Sequence, residues 1–355
     1  MSGVLRLIPY FDAERVRQPG GAAIPAQVLS VFWPSSSSRD GPQWTESRAP
    51  QWLRADHRWI DLCVRLRHDE ILGWHARNVL RYLEPEFFEP ALAAAVRKEG
   101  PRVTRPRTHA FRDLVARYRA GEHVQVWQTL CSLGPIAGDL RQEADAVAHE
   151  TMKRVAHNLD LLASRFYARG WVALTGMLRT SPKPDDGRIC AEIERITKSP
   201  IPPSLSAFWH VVGGVDLVWD YNTEKRPPVL LPGITLDLDV LDPLFIAAPA
   251  DVEYLFGEWE HAVEKTHPEL LDPFSIDLAP DYLHKANISG GAAYAIELPH
   301  FGADPVLQNE RHRLPLVGYL RHCLRWAGFA MLERHAGDNG VAHLVATLTE
   351  GFEPF

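Results

Sequence analysis

The chain of 355 residues is 46% apolar and 23% charged, the composition of an ordinary soluble globular protein. No apolar run approaches the ~18 residues that a membrane helix requires, which excludes an expected span. The net charge of −7 hides an asymmetry: residues 1–135 carry 19 Lys and Arg against 14 Asp and Glu, a balance of +5, and residues 136–355 carry 19 against 31, a balance of −12. This predicts two parts, a basic, Trp-rich N-terminal region over 1–135 and an acidic domain over 136–355.

In chain order, Val4–Ile8 and Val28–Phe32 read as two strands separated by Gly20, Gly21 and Pro25. Ser35–Ser38 between Pro34 and Pro42 is a loop. Trp33, Trp44, Trp52, Trp59 and Trp74 cluster before residue 75, either as core filling or as a contact surface. Ile71, Trp74, Val79 and Tyr82 give helical spacing over 67–83, and a second helix is expected from Pro90 to Arg97. The stretch 97–119 is the most basic. Within it Arg102, Arg105, Arg107 and Arg112 are candidate anion-binding residues, or alternatively partners for carboxylates of the acidic half. No recognised nucleic-acid fold accompanies them, so nucleic acid is not the expected partner.

A long helix is predicted from Asp139 to Arg169, with Val147, Met152, Val155, Leu159, Leu162 and Phe166 inward and Asp139 capping its start. His149-Glu150 on this helix is not a zinc-protease motif, because Lys153 stands where the second histidine would be needed.

The string Ile201-Pro202-Pro203-Ser204-Leu205-Ser206-Ala207-Phe208-Trp209-His210-Val211-Val212-Gly213-Gly214 specifies a short helix. Proline suits its first turn, Leu205, Phe208, Trp209 and Val212 form one apolar stripe, and glycine supplies the left-handed stop. Val215, Leu217 and Trp219 then alternate as a strand. Ile234, Leu236, Leu238 and Val240 alternate likewise, which puts Asp237 and Asp239 on the opposite face. Asp242-Pro243 ends that strand and Leu244–Ile246 begins another. A helical stripe at Val252, Leu255, Phe256, Trp259 and Val263 precedes two alternating runs, Phe274–Leu278 and Tyr294–Leu298. A terminal helix is expected from Leu314 to Arg334, with Leu320, Leu324, Ala327 and Met331 inward. Sequence-adjacent strands flanked by helices predict an α+β fold with a largely antiparallel sheet behind an N-terminal mixed extension.

The acidic helix at Ala191–Ile196, the Pro-rich entry, the short aromatic helix and the Gly-Gly strand entry together resemble the SUKH superfamily of fungal cell-wall-synthesis regulators and bacterial toxin-immunity domains. Leu241–Ile246, the run from Asp272 to Pro299 and Tyr319–Glu333 are similar to its bacterial members, so the resemblance covers about residues 140–355. It implies a non-catalytic domain of α+β fold that recognises a partner protein, in bacteria often a toxin that it neutralises. An acidic domain suits a basic partner, because complementary charge speeds encounter. Charge and alternation nominate Asp216, Asp220, Asp237, Asp239 and Asp242 as contact residues.

The alternatives are a scaffold that uses both halves for different partners, and a hydrolase using carboxylates or histidines. Ser275 and Ser289 lack a nucleophile elbow, and Gly290-Gly291 lacks the Lys-Ser/Thr of a phosphate loop. His284, His300, His312 and His322 match no ligand spacing, so neither metal nor cofactor is expected. Cys63, Cys131, Cys190 and Cys323 are dispersed, and with no secretory signal visible they are expected as buried, reduced thiols of a cytoplasmic protein.

Overall fold

The computed structural model describes residues 57–68, 76–77, 80–81, 85–99, 113–221 and 241–355. The strands expected at 4–8, 28–32 and 234–240 lie outside these residues. Two compact units divide the chain: one is Met1–Val103 with Trp259–Asp272, the other Thr104–Glu258 with Pro273–Phe355. Helices over 114–132 go with the second unit, which therefore begins before the expected boundary at 136, and residues 259–272 go with the first.

In the first unit, helix α1 (His57–Leu66) turns Ile60, Cys63 and Val64 inward at i, i+3 and i+4. Helix α2 (Pro85–Glu99) adds Phe88 and Leu92, and Leu270 of a short 3₁₀ turn closes the cluster. The helix expected from Pro90 to Arg97 begins earlier, at Pro85, and carries Pro90 inside it. Arginines of the basic region are spent on acids from far along the chain. Arg77 and Arg81 both reach Asp272 at 2.7 Å, and the enclosed Arg67 donates to Val64 O and approaches Glu269.

The second unit is built on α5 (Asp139–Ala168), onto which α3 (Leu114–Arg119) and α4 (His123–Ser132) lead. Its inward face, Leu140, Ala144, Val147, Met152, Val155, Leu159, Leu162 and Phe166, follows the predicted period. The cap differs: Gly138 holds the N-cap position with a φ of 57°, and Asp139 is the first helical residue, where its charge suits the dipole. Strand β1 (Arg179–Thr180) precedes α6 (Asp186–Thr197) and α7 (Pro203–Val211). Helix α7 starts on proline as expected, buries Leu205, Phe208 and Trp209, and packs on α5. Gly213 then takes a φ of +87° so that β2 (Gly214–Asp216) can turn back.

Strand β2 lies between β1 and β3 (Phe245–Ile246), antiparallel to both, with Val215 opposite Arg179 and Ile246. After α8 (Leu255–Lys265), β4 (Phe274–Ala279) and β5 (Tyr294–Leu298) pair antiparallel, flanking the short α9 (Tyr282–Lys285). The class is α+β, with small antiparallel sheets among helices.

The expected terminal helix is broken. Helix α10 (Leu316–Arg325) stops where Ala327 and Gly328 both take positive φ, a 3₁₀ turn follows over Ala330–His335, and α11 (Asn339–Thr349) closes the chain. Leu320, Leu324, Ala327 and Met331 are nonetheless all buried. Val263, placed inward by its stripe, is 47% exposed. No helix of the described residues is long and apolar enough to cross a membrane.

Candidate functional site

Two of the nominated contact acids are interior. Asp216 is 4% and Asp242 2% exposed. Strand alternation assigns Asp216 to an outer face, but β2 is covered on both sides, all three of its residues being buried. Its carboxylate accepts from the amides of Thr175 (2.9 Å) and Val218 (2.8 Å), and burial raises its pKa against the effect of those bonds. Asp242 is enclosed with Lys285, whose Nζ donates to Oδ1 at 2.6 Å, and Tyr294, whose hydroxyl donates to Oδ2 at 3.0 Å. The ammonium also stands 4.6 Å from the Tyr294 ring centre. Neither acid can meet a partner at the surface. Asp220 is half-buried beside the surface turn at Tyr221. Asp237 and Asp239, and likewise Arg102, Arg105, Arg107 and Arg112, lie outside the described residues.

Among the described residues another group of acids lies at the surface. Tyr254, in the turn before α8, is 58% exposed and stands beside the carboxylate of Asp277 on β4. Asp277 has a raised pKa because it is partly buried and because the Glu258 carboxylate faces it. Tyr254 is raised for the same reasons, burial first and then the charges of Asp277 and Glu258. Neighbouring Glu253 pairs with Arg188 at 2.7 Å, and Arg188 also holds Asp185 at 2.9 Å. An exposed aromatic ring is thus rimmed by carboxylates that crowd one another. Alternation predicted that Asp277 leaves the core face of its strand, but the contribution of Tyr254 and Glu258 carries no sequence signal.

The four histidines considered for a metal separate into one pair and two single residues. His284 bonds Asp281 at 2.8 Å, in a cap of α9 where the same carboxylate also accepts the His284 amide. His300 is apart from these, with a pKa lowered by burial. His312 and His322 come together, their ring centres 4.5 Å apart. His312 is gripped on both nitrogens: Nδ1 lies 3.0 Å from Glu310 Oε1 and Nε2 lies 2.8 Å from Glu333 Oε1. Burial opposes protonation of His312, but the bonds to Glu333 and Glu310 outweigh it and raise the pKa. His322 Nε2 is 3.0 Å from Ala330 O and 3.7 Å from Glu333 Oε2. Glu333 is the member that sequence reasoning missed, since nothing in the spacing links it to His312.

Other groups with a chemical appearance are held by structural bonds. Glu150 pairs with Arg119 and Lys153. Ser275 stands across β4–β5 from Glu297. All four cysteines are free thiols; Cys63, Cys190 and Cys323 are buried as expected, whereas Cys131 is exposed at the end of α4. Comparison with protein-family models, curated proteins and solved structures finds no match for this chain.

Proposed function

We propose that the unit formed by 104–258 and 273–355 is a non-catalytic protein-binding module of the SUKH type that takes a basic protein partner, in a bacterial setting a toxin that it neutralises. The observation that carries this reading is the Tyr254 face. Tyrosine is a favoured contact anchor because a large, rigid ring buries much area at small entropic cost. Around it burial, and then the facing Glu258 carboxylate, raise the pKa of Asp277, and a Lys or Arg from a partner relieves that repulsion on docking. The excess of Asp and Glu over 136–355, 31 against 19 Lys and Arg, adds a long-range attraction for a basic surface. The resemblance of the α6–α7–β2 stretch supplies the class of partner.

A photo-crosslinking amino acid at position 254 of the full chain, expressed in its own host, should trap a protein rich in Lys and Arg, with a yield that falls as salt rises. Asp277→Lys with Glu258→Lys should abolish the adduct and leave the melting temperature unchanged. The reading fails if the adduct persists with both substitutions in place, or if a probe at the exposed His343 captures the same protein equally well.

A further inference from the structure

We infer that His312, His322 and Glu333 form a binding site for one divalent transition-metal ion, zinc being the best fit, with Glu310 as the residue that orients His312. One ring nitrogen of each histidine and one oxygen of Glu333 lie within 4.8 Å of one another. They come from three separate segments: a turn after β5, helix α10 and the 3₁₀ turn Ala330–His335. Helix α10 ends at the positive-φ pair Ala327–Gly328, and that reversal brings Glu333 back over His322.

The second observation is Glu310. Its side chain is wholly enclosed, and it accepts from the backbone amides of His312 (3.0 Å) and Leu314 (3.2 Å) as well as facing His312 Nδ1. A buried carboxylate on one imidazole nitrogen is the usual outer partner of a metal-bound histidine; it fixes the tautomer and makes the far nitrogen a better donor. With Nδ1–H given to Glu310, the neutral ring directs the Nε2 lone pair at Glu333 Oε1, 2.8 Å away. On the protonated ring a proton joins the two atoms; a bound ion takes that place and releases the proton. Among the described residues no Lys or Arg bonds to Glu310 or Glu333, so two carboxylates share two imidazoles and backbone amides.

An ion of charge +2 balances the two carboxylates. Imidazole nitrogens with a single carboxylate oxygen favour Zn²⁺ or its Co²⁺ analogue over Mg²⁺ and Ca²⁺, which take all-oxygen shells. Bonds of about 2.0–2.1 Å in a tetrahedron space the ligand atoms ~3.3 Å apart, so the widest separation closes by roughly 1.5 Å through rotation of the side chains. All three ligands are partly exposed, which leaves an approach for the ion and a fourth position for water. His322 reaches Ala330 O through Nε2, so it takes the ion through Nδ1 or turns Nε2 from that carbonyl by a ring flip. None of its residues belongs to the Tyr254 face.

The test is titration of the chelator-treated full chain with Co²⁺ and Zn²⁺. One Co²⁺ per chain should bind with the visible absorption of a four-coordinate ion, and one equivalent of Zn²⁺ should erase it. Glu333→Gln and His322→Ala should each lose that spectrum, with a fall in affinity larger than the about 10–100-fold expected for the outer-partner change Glu310→Gln. His343→Ala, at an exposed histidine of α11, should leave binding unchanged. Circular dichroism of each variant separates loss of ligand from loss of fold, and Glu333→Gln keeps the side-chain shape. Failure to bind a stoichiometric ion, or undiminished binding by folded Glu333→Gln and His322→Ala proteins, overturns the inference.

Discussion

Asn158 on α5 and Glu353 in the closing segment exchange two hydrogen bonds. The side-chain amide donates to Glu353 O at 2.9 Å, and the Glu353 amide donates to Asn158 Oδ1 at 2.7 Å. A carboxamide is the one uncharged side chain that satisfies both polar groups of a backbone residue at once. Arg154 continues the grip on Pro354 O (3.0 Å), and Arg165 holds Leu348 O and Glu350 O, both at 2.6 Å. Residues 350–355 are therefore bound along the long helix in the manner of a peptide ligand. That explains why a helix interior keeps a fully buried asparagine, a residue with poor helix propensity.

Asn158→Ala should then orphan a donor and an acceptor of Glu353 together and cost ~1–3 kcal/mol. Asn158→Asp should cost at least as much, because it still accepts the amide but sets a carboxylate against Glu353 O. Urea unfolding gives the stability change, and amide exchange at Glu353 gives its location: protection there should drop in both variants. Unaltered protection at Glu353 with an unaltered midpoint would remove Asn158 from this role.

The pair Lys285–Asp242 has nowhere to gain solvation, as both side chains are enclosed. Breaking such a pair strands one charge and is expensive, whereas removing both charges together is not. Asp242→Asn should cost about 3–5 kcal/mol, chiefly by leaving the Lys285 ammonium uncompensated. Adding Lys285→Met to that change should recover most of the loss, a non-additivity that a double-mutant cycle by chemical denaturation measures directly. Additive losses would mean that the two groups are not coupled.

The stretch around α7 was legible because each of its signals is local. Proline at the first turn, four apolar residues at helical spacing and a glycine stop all act within a few residues, and Phe208 and Trp209 are fully buried in consequence. The break after α10 was not legible, because Ala327 carries no chemical mark of a positive φ; a Cβ at the neighbouring Gly328 would strike Leu217. Asp216 misled for a related reason. Alternation distinguishes the two faces of a strand but not whether a second layer covers the outer one, and two-sided burial of a three-residue strand is a tertiary fact. The His312–His322–Glu333 cluster belongs to the same class, since it exists only once α10 has been reversed.

Phe208→Ala should cost about 3–5 kcal/mol, the usual loss for a large aromatic removed from a packed core. The stop that follows α7 offers a sharper comparison. Gly213 and Gly170 have similar positive φ, +87° and +76°, but a Cβ at 213 would strike the backbone of Thr180 and Pro182, whereas at 170 nothing lies within 4 Å. Gly170→Ala should therefore cost only the conformational penalty of about 1–2 kcal/mol, and Gly213→Ala distinctly more, because β1 has to move. Thermal melts of the two variants side by side decide it; equal losses would show that the space around 213 is irrelevant.

Asp304 links stability to pH. Burial pushes its carboxyl up to about 7 from 3.8, against the Val317 amide and the Arg321 charge, which pull it down. A carboxyl raised in the folded state binds its proton more tightly there than in the unfolded chain. Between about pH 4 and 7 the folded state keeps a proton that the unfolded state has released, so this group's contribution falls as pH rises through that window and is flat above it. The change is on the order of 4 kcal/mol, at about 1.4 kcal/mol for each pKa unit. Asn at 304 keeps an oxygen to accept the Val317 amide, which lies 3.2 Å from the Asp304 carboxylate oxygens, and has no proton to lose. Every other titrating group is shared by the two proteins, so the stability of Asp304→Asn minus that of the parent should rise between pH 4.5 and 7.5 and then level off. Denaturant midpoints at several pH values supply that difference, and a flat line across the window would show that the Asp304 carboxyl is not raised in the folded state.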